Sequence, residues 1–143
     1  MNKWDLVEKG TNSARDFEKE LLEKMAPFRD VPVVFVSALN KMRIHKVIEK
    51  AMEVYENRQR KIPTSQLNEV MLKVIEDYPP PALKGKYVKI KFVSQLPMRA
   101  PAFAFFCNFP QYVKDPYKRY LENQIRQHFC FTGVPIQIFM RKK

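Results

Sequence analysis

Residues 64–81, TSQLNEVMLKVIEDYPPP, decide the fold of the longer part of the chain. The apolar side chains of this stretch recur at three- and four-residue steps: Leu67, Val70, Met71, Val74, Ile75 and Tyr78. That spacing predicts one amphipathic helix. Thr64 or Ser65 can cap its start, and the three prolines at 79–81 end it because proline has no backbone N–H to donate.

The pattern after this helix predicts two strands, a second helix and a third strand. Apolar and basic residues alternate over 87–92, with the even-numbered side chains on one face, which is typical of a half-exposed strand. The next predicted strand covers 102–109. A helix is expected from Asp115 to the Thr132-Gly133 turn, and the last strand covers 135–140. The order α-β-β-α-β predicts an α+β sandwich with its helices on one face of the sheet.

The N-terminal part is predicted to contain a helix, a strand and another helix. Residues 12–25 and 42–57 carry apolar stripes at helical spacing, and the β-branched run at 32–36 is typical of a strand buried on both faces. One strand between two helices cannot make a sheet, so we expect residues 1–57 to be the end of an incomplete α/β domain. Residues 58–63, basic and ending in proline, are a predicted linker to a domain at 64–143.

Basic residues are concentrated in the second part of the chain. Residues 1–56 hold 10 Lys and Arg against 10 Asp and Glu, whereas residues 57–143 hold 16 against 5. The whole net charge of +11 therefore lies in the second part. This excess predicts a polyanionic partner such as nucleic acid, and the alternative is a domain that its charge merely keeps soluble.

The remaining features predict a folded cytoplasmic protein. Cys107 lies in an apolar run and is expected to be a buried thiol. The start is unlike a signal peptide, and no window approaches the roughly 18 apolar residues of a membrane span. His45 and His128 lack partners at ligand spacing, so we expect no metal site. No spacing indicates a catalytic triad, and no catalytic residue is assigned.

Asn2-Lys3-Trp4-Asp5 matches NKxD, a guanine-reading motif. An ionised Asp5 can accept hydrogen bonds from the ring N1–H and the exocyclic amine of guanine, a donor pair that adenine lacks. Asn2 can hydrogen-bond on the other edge of the base and brace neighbouring loops. Lys3 can lay its aliphatic stem over the purine face. Four residues alone are a weak signal, and a chance match in a polar loop is the alternative.

A second motif, Ser37-Ala38-Leu39, follows the predicted strand about thirty residues later. In translation-factor-like GTPases a similar motif supplies a backbone N–H to guanine O6, and Ala38 would donate it here. The chain contains neither a GxxxxGK[ST] phosphate loop nor a DxxG sequence. We therefore expect no GTP hydrolysis by this chain and no tightly bound nucleotide.

Several further stretches carry a family resemblance, and RKIPTS and RYLEN are the most specific: residues 2–5, 33–39, 54–55, 58, 60–65 (RKIPTS), 67–68, 79–81, 84–85, 117, 119–123 (RYLEN), 131–136 and 141–143. Over essentially its whole length the chain resembles the EngA (Der) family of bacterial ribosome-assembly GTPases. The resemblance implies tandem GTPase domains followed by a C-terminal KH-like domain. The chain would then be a piece holding the end of the second GTPase domain and the KH-like domain.

The resemblance also implies partners and ligands. The longer protein would bind GTP or GDP with Mg²⁺, and the KH-like domain would face the large ribosomal subunit and its rRNA. The GXXG loop with which KH domains clamp a nucleic-acid backbone is absent, since Gly10, Gly85 and Gly133 are far apart. The expected RNA contacts are therefore cationic side chains that meet phosphates: Lys84, Lys86, Lys89, Lys91, Lys118, Arg119, Arg126, Arg141, Lys142 and Lys143.

Three alternatives stay open at this point. The aromatic side chains of Phe103, Phe105, Phe106 and Phe109 could stack on bases, although a core position is the expected one. The chain could complete an active GTP hydrolase with the missing upstream GTPase domains, with the basic domain as an intramolecular docking or regulatory element. Unpartnered apolar faces in residues 1–56 could also cause self-association.

Overall fold

The computed structural model describes the following residues: 1–8, 10, 13–26, 28–83 and 85–143. They divide into two compact units. The first unit comprises Met1–Asn57 together with Thr132–Val134. The second comprises Arg58–Phe131 together with Pro135–Lys143.

The first unit contains α1 (Ser13–Lys24) and most of α2 (Ile44–Gln59). Their bounds lie within two residues of the predicted ones. The tripeptide Thr132–Val134 is held in this unit by hydrogen bonds. The Gly133 N–H donates to the Asp30 carbonyl at 2.7 Å, and the Asn57 side chain donates to the Thr132 carbonyl at 3.0 Å. Gly133 has φ +79°, and a Cβ there would lie 2.5 Å from a Val54 methyl, so only glycine fits this turn.

The strand predicted at residues 32–36 is wrong. Residues 32–36 belong to no strand in the structure, and Phe35 alone among them is buried. Backbone hydrogen bonds join them instead to the start of the chain: Val36 N–H donates to the Met1 carbonyl at 2.9 Å, and Trp4 N–H donates to the Val36 carbonyl at 3.0 Å. Lys3, between those two partners, has φ 61° and ψ 33°. That left-handed conformation interrupts any regular ladder.

The second unit contains α3 (Thr64–Asp77), β1 (Ile90–Leu96), β2 (Ala102–Cys107), α4 (Asp115–His128) and β3 (Gln137–Lys142). This order confirms the predicted α-β-β-α-β arrangement. The sheet has the spatial order β1-β2-β3, in which β2 pairs antiparallel with β1 and parallel with β3. The predicted α+β fold is therefore confirmed.

One face of the sheet and one stripe of each helix form the core of this unit. Phe103 and Phe105 of β2 and Val93 of β1 are fully buried. The helices contribute buried residues at helical spacing: Leu67, Met71 and Ile75 from α3, and Tyr117, Leu121 and Ile125 from α4. Both helices thus pack on the face of the sheet that carries Phe103 and Phe105, as predicted.

The core of this unit contains two polar groups, the Cys107 thiol and the Tyr117 hydroxyl. The predicted burial of Cys107 is confirmed, and burial raises the pKa of its thiol. The Tyr117 hydroxyl donates to the Tyr78 carbonyl at 2.8 Å, at the end of α3. Burial, with smaller contributions from Tyr120 and Tyr78, raises the pKa of Tyr117 far above its usual range. Tyr117 therefore stays a neutral donor that joins α4 to the end of α3.

Strand β1 differs from the prediction in its first residue and in the sheet face on which the Phe92 side chain lies. The strand begins at Ile90 rather than Tyr87, and Lys91 is an extra residue in its ladder, because Ile90 pairs with Cys107 while Phe92 pairs with Phe106. Such a bulge reverses the alternation of side chains. Ile90 consequently faces the core, whereas Phe92 faces the opposite side of the sheet and is 40% exposed.

The side chain of Asn68 ties α3 to the outer edge of β1. Its amide nitrogen donates to the Val93 carbonyl at 2.7 Å and to the Thr64 carbonyl at 2.7 Å, and its oxygen accepts from the Val93 N–H at 2.8 Å. Val93 is fully buried, so these are the bonds that satisfy its backbone at this edge. A primary amide has both a donor and an acceptor, so one side chain can satisfy the N–H and the carbonyl of Val93.

We expect Asn68→Ala to lower the free energy of unfolding by about 2 kcal/mol, because two buried backbone groups of Val93 lose their partner. Urea unfolding followed by circular dichroism would measure this change. Glu69→Ala is the matched control, since it alters an exposed side chain on the same helix and should change the free energy by about 0.5 kcal/mol or less. Equal effects of the two substitutions would contradict the role given to Asn68.

The exposed apolar stripe of α2 predicts self-association. Its side chains are between 37% and 60% exposed: Ile44, Val47, Ile48, Met52 and Tyr55. Contiguous apolar surface of this kind favours association. Sedimentation velocity over a range of concentrations should show a dimer or larger species, and Ile48→Glu should shift it toward monomer. Lys46→Glu, on the polar side of α2, should leave association unchanged, and a wild-type chain that stays monomeric at high concentration would contradict the prediction.

Candidate guanine loops and candidate RNA-binding surface

The first predicted guanine motif, residues 2–5, is anchored by Trp4. This side chain is 5% exposed and packs against Phe35, with 4.2 Å between ring centroids, and edge-on against Phe17 of α1 at 5.6 Å. Its backbone N–H is bonded to Val36. The variable position of the motif is therefore the one that fixes the loop, while its three polar residues stay at least partly exposed.

The second predicted motif, residues 37–39, begins a tight loop that Ser37 closes. Ser37 is fully buried and exchanges both backbone hydrogen bonds with Met42, at 3.2 and 2.9 Å. Its hydroxyl accepts from the Asn40 N–H at 3.2 Å. Ala38 and Leu39 are exposed, and Leu39 is 83% exposed. Ser37 thus serves as the anchor from which Ala38 and Leu39 project.

The two motifs meet in the structure. The Asn2 side-chain oxygen accepts a hydrogen bond from the Ala38 N–H at 3.1 Å and another from the Lys3 N–H at 2.8 Å. Residues 36 positions apart are thereby joined through one amide oxygen. This contact has the form of the bracing that we expected of Asn2. The Ala38 N–H assigned to guanine O6 is the same group that Asn2 contacts, so a bound base would share or replace that bond.

Most of the predicted RNA contacts are exposed residues of the second unit. Lys86, Lys89, Lys91 and Arg119 are exposed. The Lys86 ammonium lies over the Phe109 ring at 5.1 Å from its centroid, a cation–π contact that orients the charge. Lys84 lies outside the described residues.

Two predicted contacts on α4 are engaged in ion pairs. Lys118 lies 2.9 Å from Asp115, and its hydrogen bond lowers the pKa of that carboxyl. The Arg126 guanidinium is 3.0 Å from Glu122 and donates to the Phe131 carbonyl at 3.2 Å. With a side chain only 13% exposed, Arg126 has a structural role that the sequence did not suggest. It offers RNA little accessible charge.

The C-terminal cations extend the basic surface along β3. Arg141, Lys142 and Lys143 are all exposed. The Lys143 N–H donates to the Cys107 carbonyl at 3.2 Å, so the backbone of this tail continues the pairing of β3 with β2. The strand pairing therefore holds the backbone that carries these three cations.

Acidic residues do little to offset this charge. From residue 78 to residue 143 the sequence has 12 Lys and Arg and only two acids, Asp115 and Glu122. Both acids are the ones already paired on α4. The remaining cations therefore create an excess of 12 − 2 = 10 positive charges over this stretch.

Other kinds of site find little support in the described part of the chain. Nowhere in it do three His, Cys, Asp or Glu side chains gather as ligands for a metal ion. Among the same residues, no helix combines the length and apolar character needed to cross a bilayer.

Sequence reasoning missed the second face of the sheet. Phe92 and Phe139 are 40% and 37% exposed on it, and neither was assigned a role. The signal for Phe139 is present in the sequence, since β3 alternates exposed Gln137, Phe139 and Arg141 with half-buried Ile138 and Met140. The signal for Phe92 is hidden because the bulge at Lys91 reverses its facing.

Comparison with known proteins agrees with the fold. A family model described as the KH-domain-like domain of EngA bacterial GTPase enzymes, C-terminal, matches residues 61–141. Proteins called GTPase Der from Flavobacterium johnsoniae and Christiangramia forsetii are each 60% identical to all 143 residues of the chain. GTPase Der from Porphyromonas gingivalis is 56% identical over 144 aligned positions. The chain spans about a third of the length of these curated relatives, 33% in each case.

The family match covers more than half of the chain, and it coincides with the α-β-β-α-β sandwich of the second unit. The chain therefore belongs to the family of EngA bacterial GTPases, whose C-terminal KH-like domain it contains.

Proposed function

We propose that residues 64–143 are an RNA-binding module that contacts ribosomal RNA during assembly of the large ribosomal subunit. The observation that carries this proposal is the excess of Lys and Arg over acids from residue 78 to residue 143. The two acids of this stretch, Asp115 and Glu122, are already in ion pairs. A surface of this sign attracts the phosphate backbone and releases its counterions. The choice of the large subunit as the source of RNA rests on the family resemblance.

The contact we propose is made to phosphates and RNA shape rather than by a KH clamp. The sequence has no GXXG, and two of its three glycines are in turns. Gly85 and Gly133 have φ of +70° and +79°, so each supports a turn that a side chain would strain. Exposed Lys86, Lys89 and Lys91 and the cations after Met140 then supply the charge. Such contacts position an RNA without reading its sequence.

We also propose that residues 1–57 are the end of a GTP-binding domain, joined by residues 58–63 to the module. The hydrogen bond from the Ala38 N–H to the Asn2 side-chain oxygen supports this proposal, because it joins one residue of each motif. GTP or GDP with Mg²⁺ would be the ligand of the longer protein. The residues of this chain would recognise the base: Asp5 would accept from guanine, Lys3 would cover the ring, and Leu39 would flank it.

RNA binding should depend steeply on salt, and replacing Arg141, Lys142 and Lys143 together by glutamine should reduce that dependence. Each lost phosphate contact lowers the slope of log K against log salt by about 0.7 to 0.9, so the loss of three contacts should lower it by roughly 2 to 3. Fluorescence anisotropy with a large-subunit rRNA fragment measures this slope when the salt concentration is varied from about 50 to about 300 mM.

The matched control replaces Arg15, Lys19 and Lys46, all exposed in the first unit, by glutamine. It removes the same charge and should leave the slope nearly unchanged. Absence of RNA binding at low salt would contradict the proposed function and favour the alternative, in which the basic unit docks on GTPase domains. Equal slopes for the two triple variants would show that net charge, rather than this surface, attracts RNA.

The chain alone should release no phosphate from GTP above the buffer rate. Phosphoryl transfer needs groups that hold the phosphates and Mg²⁺, and the sequence has no phosphate loop. A phosphate-release assay on the purified chain checks this. Turnover that Asp5→Asn abolishes would contradict the expectation and identify the chain as a complete hydrolase, whereas turnover insensitive to that substitution would indicate a contaminating enzyme.

A further inference from the structure

The face of the sheet opposite the helices, here called the open face, carries three phenylalanines. The pairing register puts the following side chains on it: Phe92, Ser94 and Leu96 of β1, Ala102, Ala104 and Phe106 of β2, and Gln137, Phe139 and Arg141 of β3. Phe92 and Phe139 are 40% and 37% exposed, and Phe106 is partly exposed. On the core face, by contrast, Phe103 and Phe105 are fully buried.

The three phenylalanines occupy neighbouring positions on the open face. Phe92 and Phe106 pair directly across β1 and β2, with ring centroids 5.8 Å apart and planes inclined by 46°. Phe139 pairs with Ala104, which is two residues from Phe106 along β2 and on the same face. Neighbouring strands lie about 5 Å apart and alternate residues of one strand about 7 Å apart, so these three positions are close enough together to contact one ligand.

The charge around this group is entirely positive within the sheet. Arg141 pairs with Phe106 on the open face, and Lys91 is the exposed bulge residue that precedes Phe92. The three strands contain no Asp or Glu. Exposed rings beside unopposed cations match a ligand that has both flat apolar faces and negative charge.

We propose that the open face binds single-stranded RNA, with unpaired bases stacked on Phe92, Phe106 and Phe139 and phosphates held by Arg141 and Lys91. The proposal rests on the proposed RNA-binding function and deepens it by assigning a surface and a strand type. Bases of a duplex are already stacked on one another, whereas those of a single strand offer free faces to aromatic side chains. A sheet that presents aromatic rings in this way is a known general solution for holding two or three bases.

The stacking contribution can be separated from the ionic one by replacing rings with leucine. Phe92→Leu with Phe139→Leu keeps apolar side chains of similar size but removes the π-faces. Anisotropy of a labelled single-stranded RNA of about a dozen nucleotides should show binding weakened about 5- to 100-fold, with the salt slope unchanged. Binding to a fully paired RNA duplex should not change. Tyr87→Leu is the matched control, since Tyr87 is 79% exposed and precedes β1.

A variant that retains the rings guards against a folding artefact. Phe139→Tyr should bind single-stranded RNA as well as the wild type does, and thermal melting should show all variants folded. If the leucine double variant binds single-stranded RNA normally, the stacking proposal is overturned while the proposed function stands, and the open face is then better assigned to a protein partner. If the wild type binds no RNA at low salt, the proposed function itself fails. Loss confined to the ring-deleted variant supports the proposal.

Discussion

Strand β2 is the constraint on which the second unit depends. It is the central strand, paired on one side with β1 and on the other with β3, so both of its edges lie inside the sheet. Its alternate residues divide the unit in two. Phe103, Phe105 and Cys107 are buried beneath α3 and α4, whereas Ala102, Ala104 and Phe106 belong to the open face. Phe103 and Phe105 are fully buried, and burial of rings of this size stabilises the packing of the helices on the sheet.

This division has a direct consequence for the proposed function. Since α3 and α4 pack on one face of a three-stranded sheet, their apolar side chains are buried in the core, and their polar sides face solvent. On the other face, small alanines on β2 are buried between larger neighbours, and the phenylalanines on either side remain partly exposed. Aromatic residues therefore lie on a face of the sheet that does not pack against α3 or α4. A ligand with flat faces is the simplest physical reason.

Element order and core were predictable because the helical and alternating patterns are local, and Leu67, Met71, Leu121 and Ile125 are buried as their spacing indicates. The facing of Phe92 was not, because one inserted residue at Lys91 reverses an alternation without altering composition. The strand expected at residues 32–36 failed for a related reason: apolar runs show a tendency to be buried, but a ladder needs a partner with regular backbone, and Lys3 interrupts it. The two guanine motifs could be found from their residue types, whereas the hydrogen bond between Ala38 and Asn2 joins residues 36 positions apart and depends on folding.

The two proposed modes of RNA contact act over different ranges, which makes them complementary rather than redundant. Unpaired cations attract a polyanion over about 8 to 10 Å at physiological salt, so they raise the rate of encounter but distinguish poorly between one RNA and another. Stacking acts only at contact and requires an exposed base, so it selects by strand type. Arg141 lies where both effects coincide, paired with Phe106 at the edge of the cationic tail. A surface built this way would hold folded RNA chiefly where unpaired bases interrupt it, because only there do both contributions add.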